Sequence, residues 1–393
     1  MAMEKIIIIN SGSVSKKYAL YKGEELLLSA HFEILPKEFQ IHLKKGETFA
    51  KSEKISKDNF DYAFGFFVDL LLKQKIIDKD SDISAVSFRV VAPGLTFQKD
   101  AIIDKEYLNK IDKISKNSLI HIKSMRTEME QIYKRLSNVP RFAISDSSFH
   151  ATLPEYATRY AIPNKITEDL ELYRYGYHGI SVSSIVEHLK AENKLPEKMI
   201  VCHLGGGSSL TAVLNGKSLD NSMGYTPIEG LPMATRSGDV DAGAVLAIME
   251  KKNYKPNEMN EILFNQSGLQ AISEVSADTR DLIEQRNLGN KKATLAFDMY
   301  VYAVKKYIGA YTAILGGLDL IVFTATVGER SADIREKICT GLDCLGIKLD
   351  LDLNKKLNEH EGYINYPGSD VSILIKKTDE MAEMARRTYK LLK

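Results

Sequence analysis

The sequence predicts an α/β protein built twice over, two lobes on one strand-and-helix plan with a cleft between them. Three observations carry this. The chain has 393 residues, enough for two domains of ordinary size. Near its start an apolar run, a Gly/Ser turn, a second strand, a tight x-Gly turn and a third strand follow one another in K-I-I-I-I-N-S-G-S-V-S-K-K-Y-A-L-Y-K-G-E-E-L-L-L-S. The same order returns from Met199 in M-I-V-C-H-L-G-G-G-S-S-L-T-A-V-L-N-G-K-S-L-D, with Asn215-Gly216 in the place of Lys22-Gly23. A single Gly-rich turn is as readily a plain hairpin. Two matched units half a chain apart indicate a duplication. Gly/Ser turns after strands expose backbone N–H groups that can cradle phosphate, so two of them suggest a polyphosphate gripped from opposite sides.

Composition narrows the class. The chain is 44% hydrophobic and 27% charged, as expected of a soluble globular protein with a sizeable core. A net charge of +1 points away from nucleic acid and from membrane surfaces as partners. The three cysteines, Cys202, Cys339 and Cys344, are too few and odd in number for a disulfide framework and fit a reducing compartment. Cys202 falls in a predicted core strand. No apolar run is long enough to span a bilayer, and residues 6–9 are too short for a signal sequence core. A cytoplasmic protein is expected.

The elements follow in order. Residues 4–30 read as three antiparallel strands. Residues 56–77 have helical periodicity around Phe60, Phe64, Phe67, Leu70 and Leu71. Residues 83–91 form a strand running into A-P-G, and residues 104–136 are polar and helical with Lys-rich, solvated faces. Residues 141–145 form a strand that ends at Asp146, and the second copy opens near Met199. Residues 291–316 read as a helix with small residues (Ala293, Ala296, Ala303, Gly309, Ala310, Ala313) among aromatics, suited to close packing in the core or against a second subunit. Residues 320–323 are a strand, residues 347–362 are charged and peripheral, and 378–392 are helical with Thr378 as a cap and Glu380 and Glu383 early in the turn order. The first lobe is expected to take residues 1–148 plus 380–393, and the second 149–379.

Several blocks now resemble a known family: Y-R-Y-G-Y-H-G-I-S, H-L-G-G-G-S-S, N-G-K-S-L-D-N-S-M-G-Y-T-P-I-E-G-L, T-R-S-G-D-V-D and Y-I-G-A-Y-T-A-I-L-G-G-L-D-L-I-V-F-T-A. Nearly the whole chain is similar to the acetate kinase (acetokinase) family, of the superfamily of acetate and sugar kinases, heat-shock ATPase and actin. The resemblance implies a duplicated actin-like (ribonuclease H-like) fold. It also implies a Mg2+-dependent phosphotransferase with a carboxyl group as acceptor, Mn2+ being an alternative metal and ATP/ADP the co-substrate. The family's usual form is a homodimer.

The resemblance also assigns residues. Phosphoryl transfer is mostly positioning and charge stabilisation of a loose, in-line transition state, so cations must face the equatorial oxygens. Arg236 in T-R-S-G-D and Arg89 in F-R-V-V match the family's active-site pair. Arg236 is expected to bridge acceptor and phosphoryl group. Arg89 is expected to hold the substrate carboxylate, which a guanidinium fork suits. His178 matches a histidine that contacts the moving phosphoryl group, and Asp146 the catalytic acid. Asn10, Asp146 and Glu380 are the expected Mg2+ residues, since hard cations prefer oxygen ligands. Asn10, Ser13, Ser15 and Lys17 match the first phosphate loop, and His203, Gly205, Gly206, Gly207 and Ser208 the second. Asp278, Thr279 and Arg280 match the nucleoside segment, and Thr326, Val327 and Gly328 the adenine loop. Val91, Ile120, Tyr177 and Pro227 match positions lining a small apolar acyl pocket.

The chain departs from the family in five places. Val14 replaces a serine of the first loop. The family's H-R-V-V-H-G-G becomes F-R-V-V-A-P-G, and its A-P-L-H-N-P becomes S-L-I-H-I-K. Gly206 replaces an asparagine. Thr326 replaces a glycine where an adenine needs close backbone approach.

Three functions compete. The leading one is reversible phosphoryl transfer from ATP to acetate, with propionate as a second acceptor. The next is the same chemistry with another short carboxylate or with pyrophosphate as donor. The third, from another class, is a nucleotide-binding regulatory protein with little turnover. Retention of both Arg89 and Arg236 speaks against the third, because a pure binder needs only one.

Overall fold

The apolar runs that mark strands in the sequence become the centres of two sheets. The computed structural model describes residues 4–12, 15–35, 38–46, 49–115 and 120–393, with backbone alone for residues 49–50, 115 and 120–124. Its first sheet holds β1 (Lys5–Ser11), β2 (Ser15–Lys22), β3 (Glu25–Leu35), β4 (Glu38–Lys45), β5 (Phe49–Ile55), β6 (Ile83–Val90), β7 (Ala101–Ile102) and β8 (Arg141–Ser145). They lie in the order β5-β4-β3-β2-β1-β6-β8-β7. The second sheet holds β9 (Lys198–Leu204), β10 (Ser208–Leu214), β11 (Lys217–Asn221), β12 (Leu320–Thr324), β13 (Gly362–Tyr363) and β14 (Ser372–Ile375). Their order is β11-β10-β9-β12-β14-β13.

Without the edge strands, the two sheets share one plan. An antiparallel trio (β3-β2-β1 and β11-β10-β9) is followed by two parallel additions (β6, β8 and β12, β14). The duplication expected from the paired Gly/Ser turns is thus present in the topology. Ile6 to Ile9 on β1 and Met199 to Cys202 on β9 are at most 1% exposed, as strands covered on both faces must be. In the second copy Asn215 (φ 51°) and Gly216 (φ 74°) both take the left-handed conformation, which a two-residue turn needs to match the twist of its strands.

The chain divides into two compact units. One contains Met1–Ala92, Lys99–Ser148 and Asp379–Lys393; the other contains Pro93–Gln98 and Phe149–Thr378. The first sheet is backed by the helices Ala63–Lys73, Lys105–Ser115 and Ile120–Arg135, with Phe64, Phe67, Ile111, Met129 and Ile132 buried. The second is built against the helix Lys291–Leu315, whose Phe297, Tyr300, Val304, Ile308 and Tyr311 enter one core with β9, β10 and β12. Asn290 caps that helix and Gly316, at φ 65°, ends it. Among the described residues no helix is long and apolar enough to cross a membrane.

Three local expectations are corrected and one pair of strands is added. Residues 38–45 and 49–55, where no local pattern marks an element, pair as the antiparallel strands β4 and β5 at the sheet edge. Their apolar positions alternate with charges, so they show no continuous run. The helix expected over 56–77 is interrupted at Tyr62. The last helix, Glu380–Leu391, is capped by Asp379, whose carboxylate accepts from the Ala382 N–H at 2.9 Å, while the Thr378 hydroxyl bonds Ser184 at 3.0 Å. Residues 347–362 are not wholly peripheral, because Asn354 is fully buried and accepts from Arg335 Nε at 2.8 Å.

Candidate active site

The expected site residues fall into two groups, one in each unit. In the first, strand ends deliver the charges. Arg89 is the penultimate residue of β6 and Asp146 follows β8, held against β6 by its N–H to the Val90 carbonyl at 2.9 Å. Arg89 Nε and Nη2 each donate to one oxygen of Asp146 at 3.1 Å, a bidentate pair. Its Nη1 reaches Glu380 Oε2 at 3.4 Å, and Asn10 Nδ2 donates to the same oxygen at 3.3 Å. Asp146 is fully buried. Burial opposes the charge of Arg89, but Asp146 and Glu380 outweigh it and raise its pKa. Three of these four residues were expected around a metal, and the fourth at the carboxylate. The structure joins all four into one cluster.

Asp146 takes the Nε/Nη2 edge of Arg89 and Glu380 lies on its Nη1, so carboxylates flank the guanidinium on both edges. The rest of the first loop is less direct. Ser15 Oγ lies 2.8 Å from His31 Nε2. Burial lowers the His31 pKa to about 4, with the Lys17 charge adding to the effect. Lys17 is on the exposed side of β2, and Val91 is half-buried after β6. Ser13 lies outside the described residues, as does the side chain of Ile120, which opens the helix Ile120–Arg135.

In the second unit a histidine pair replaces the ion pair. His178 sits at φ 60° immediately before the helix Gly179–Ala191, and its ring stacks on His203 with centroids 4.0 Å apart. His178 Nδ1 is 2.9 Å from Ser209 Oγ, and His203 Nδ1 is 2.8 Å from Ser181 Oγ. Serine hydroxyls on both Nδ1 atoms orient the two rings. Arg236 Nη1 donates to the Pro227 carbonyl at 3.2 Å and meets the Met233 sulfur at 3.7 Å. A Cβ placed on Gly207 would lie 3.3 Å from both Arg236 Nη1 and His178 Nε2. Arg236, His178 and the Gly205–Ser208 turn therefore converge, and glycine at 207 is what lets them.

The turn itself is braced from within. Ser208 is fully buried, with its hydroxyl donating to the Gly205 carbonyl at 3.1 Å and 3.0 Å from the Tyr300 hydroxyl. That side chain shapes the turn instead of facing a phosphate. Gly206 is exposed, and a Cβ there would meet nothing within 4 Å. Losing the family's asparagine therefore leaves the backbone course open to a side chain. Tyr177 is buried, its hydroxyl donating to the Tyr225 carbonyl at 2.7 Å.

The segments expected to hold the nucleoside and the adenine also lie in this unit. Asp278 caps the helix Thr279–Asn287 through the Arg280 N–H at 2.8 Å and pairs with the Arg280 side chain at 2.6 Å, which lowers its pKa. Thr326 is exposed in the short helix Ala325–Arg330, where Val327 and Gly328 are buried. The left-handed residue there is Ala325, at φ 65°, and not Thr326. The expected crowding at 326 thus has no backbone strain behind it.

Several supports were not anticipated. His150, in D-S-S-F-H, bonds the Tyr177 carbonyl at 2.9 Å and Ser218 at 2.8 Å. Arg335 is fully buried, donating to the Gly328 carbonyl at 2.8 Å, the Glu329 carbonyl at 3.0 Å and the Asn354 side chain at 2.8 Å. Burial lowers its pKa to about 10. It ties down the end of the Ala325–Arg330 helix. Ser181 and Ser209 could have been suspected from their place beside the two histidine blocks. His31 and Arg335 act across pairings that no local pattern displays.

Residues 5–386 match the acetokinase family. The acetate kinase of Dictyoglomus turgidum is 40% identical over 396 residues, covering 99% of this chain and 98% of its own. That of Caldicellulosiruptor saccharolyticus is 37% identical over 99% of both. Among solved structures, the acetate kinase of Porphyromonas gingivalis superposes with a TM-score of 0.85 at 33% identity, covering 99% of this chain and 100% of that one. A propionate kinase from Francisella tularensis superposes with a TM-score of 0.87 at 31% identity, over 98% of each. With this duplicated α/β architecture and these matches along its length, the chain belongs to the acetokinase family.

Proposed function

We propose that this protein transfers the γ-phosphoryl group of ATP reversibly to acetate, giving acetyl phosphate and ADP, with propionate as a second acceptor. The observation that carries this reading is the convergence of Arg236 and His178 on the Gly207 turn. An acetate oxygen attacks the γ-phosphorus, an O–P bond forms, and the bond to the β-phosphate oxygen breaks. Negative charge spreads over three equatorial oxygens during this step. A guanidinium and an imidazole held by fixed partners can meet that charge without reorganising. Arg89, held by Asp146 and Glu380, is the guanidinium that would meet the substrate carboxylate, displacing the longer Glu380 contact.

Asn10, Asp146 and Glu380 are a hard oxygen set of two carboxylates and an amide, gathered around Arg89. Among the described residues no group of three or more His, Cys, Asp and Glu forms a cage. A pair of carboxylates fits Mg2+, which keeps waters and substrate phosphates as its other ligands. When bound, the metal neutralises phosphate charge. Mixing the purified protein with MgATP, acetate and hydroxylamine should yield acetyl hydroxamate. Product with pyrophosphate but none with ATP would overturn the donor.

We also propose a homodimer. The helix Ala242–Lys252 reads A-G-A-V-L-A-I-M-E-K-K and buries none of its residues, with Leu246 66% exposed. Leu295, Met299 and Tyr302 are exposed on the helix Lys291–Leu315. Apolar faces of this kind need a cover, and a second copy supplies it. Leu246→Glu should shift the sedimentation coefficient from dimer to monomer. The three unpaired cysteines, two of them buried, support a cytoplasmic setting.

A further inference from the structure

A cavity of about 450 Å3 lies in the first unit, among β6, the helices Lys105–Ser115 and Ile120–Arg135, and the start of β8. We propose that it binds a small amphipathic anion, with a phosphate or carboxylate head and an apolar body. Its volume is that of ordinary small-molecule sites. Phe88, Leu108 and Met129 make an apolar floor. Phe88 stands where the family has a histidine, so the floor of this cavity is one of the chain's own departures. Neighbouring residues on a strand point to opposite faces, so Phe88 faces away from Arg89 and its cluster.

The rim carries unbalanced positive charge. Two acids, Asp104 and Glu130, line it against four bases, Lys105, Arg126, Lys134 and Arg141. Asp104 accepts from the Tyr107 N–H at 2.7 Å, and Glu130 pairs with Arg126 at 3.1 Å. Lys105, Lys134 and Arg141 also line it, and among the described residues none of these three has a carboxylate at ion-pair distance. Lys105 opens its helix beside Asp104, whose carboxylate caps that end. The Arg141 guanidinium lies 4.1 Å from the Tyr133 ring centroid, and its Nε is buried without a hydrogen-bond partner among the described residues. An anionic head between Lys105, Lys134 and the part of the Arg141 side chain that lines the cavity would balance this charge, while its body covers Phe88 and Met129.

The inference stands apart from the proposed reaction and is tested by binding. The fluorescent probe 8-anilinonaphthalene-1-sulfonate should bind the whole protein saturably at one site, with MgATP and acetate present. Octyl phosphate and octanoate, added separately, should displace it, and the stronger of the two identifies the head. Arg141→Leu should weaken binding about tenfold or more, as loss of one of three cations around the head does. Lys134→Glu, an exposed change that leaves the fold intact, should act in the same direction. Full displacement by MgATP, failure of both octyl compounds, or unchanged binding in Lys134→Glu would each overturn the site.

Discussion

The two copies of the strand plan hold their functional groups by different physics. In the first unit the cluster is ionic: Arg89 bridges Asp146 and Glu380. In the second it rests on hydroxyls, carbonyls and a ring stack: Ser209 and Ser181 orient His178 and His203, and the Pro227 carbonyl holds Arg236. One topology therefore supports either arrangement, because the strand ends fix only where side chains emerge. The consequence differs between the units. A buried ion pair that loses one member strands the other charge, whereas a residue anchored on neutral groups can be removed with less harm to the fold.

The largest effect should come from removing a charge that acts mainly as the phosphoryl group moves. Arg236→Ala should lower kcat by about a hundred- to thousandfold, some 3–4 kcal/mol of transition-state stabilisation, with little change in nucleotide affinity. Its melting temperature should stay close to that of the parent. A variant within twofold of the parent in kcat would remove Arg236 from the reaction.

Asp146→Ala should break the symmetry of the comparison. Arg89 keeps only the longer contact to Glu380, so stability as well as rate should fall. Arg89 is partly exposed, which places the loss at about 2–3 kcal/mol, below that of a fully buried pair. Thermal unfolding of Asp146→Ala beside Arg236→Ala checks this directly: equal melting temperatures would show that the two clusters are held alike.

Among the hydroxyls that support the second unit's histidines the expected losses are smaller. Ser209→Ala removes the hydroxyl at His178 Nδ1 and should cost about 1 kcal/mol, on the order of fivefold in rate, without unfolding the protein. Steady-state kinetics of this variant and of Ser181→Ala would rank the two rings.

Acid stability should separate the units again, through His31. Its ring is held neutral in the folded state, with a pKa lowered to about 4. The unfolded ring takes up a proton near its ordinary value of about 6.5. Between these values the unfolded chain binds more protons, so stability contributed at neutral pH is lost as pH falls from about 6.5 towards 4. His31→Gln should flatten that slope in denaturant titrations run across this range. An unchanged slope would assign the acid sensitivity elsewhere.

Much of the fold is legible from short patterns. Four isoleucines in a row, a Gly/Ser turn and its repeat at Met199 announce both central sheets. Arg89 and Asp146 end predicted strands, which is where they are found. The missed parts depend on distance in sequence. The β4–β5 pair alternates apolar and charged residues at a sheet edge and lacks a buried run. Asn354 looks like one more polar residue in a charged stretch, yet it is fully buried against Arg335. Ser208 matches the second phosphate loop in sequence, but its hydroxyl turns inward to Tyr300. Which way a small polar side chain faces is decided by packing, and packing is not written in the local sequence.

The smallest expected effect concerns Thr326, and the reason is geometric. A threonine in place of the family's glycine suggests a crowded adenine. The side chain is exposed, however, in a helix whose next residues are buried and whose far end is held by Arg335. The strained position is Ala325, so glycine at 326 relieves no left-handed conformation. Thr326→Gly should therefore change the Michaelis constant for ATP by less than about threefold, well within 1 kcal/mol, and pyrophosphate should remain a poor donor. Ala325→Gly is the matched control: it removes a strain on the order of 1 kcal/mol and should raise the melting temperature slightly. A tenfold tighter ATP constant in Thr326→Gly would mean that the threonine intrudes on the base after all. The difference between the family's loop and this one would then lie in the side chain, since the backbone already carries its strain one residue earlier.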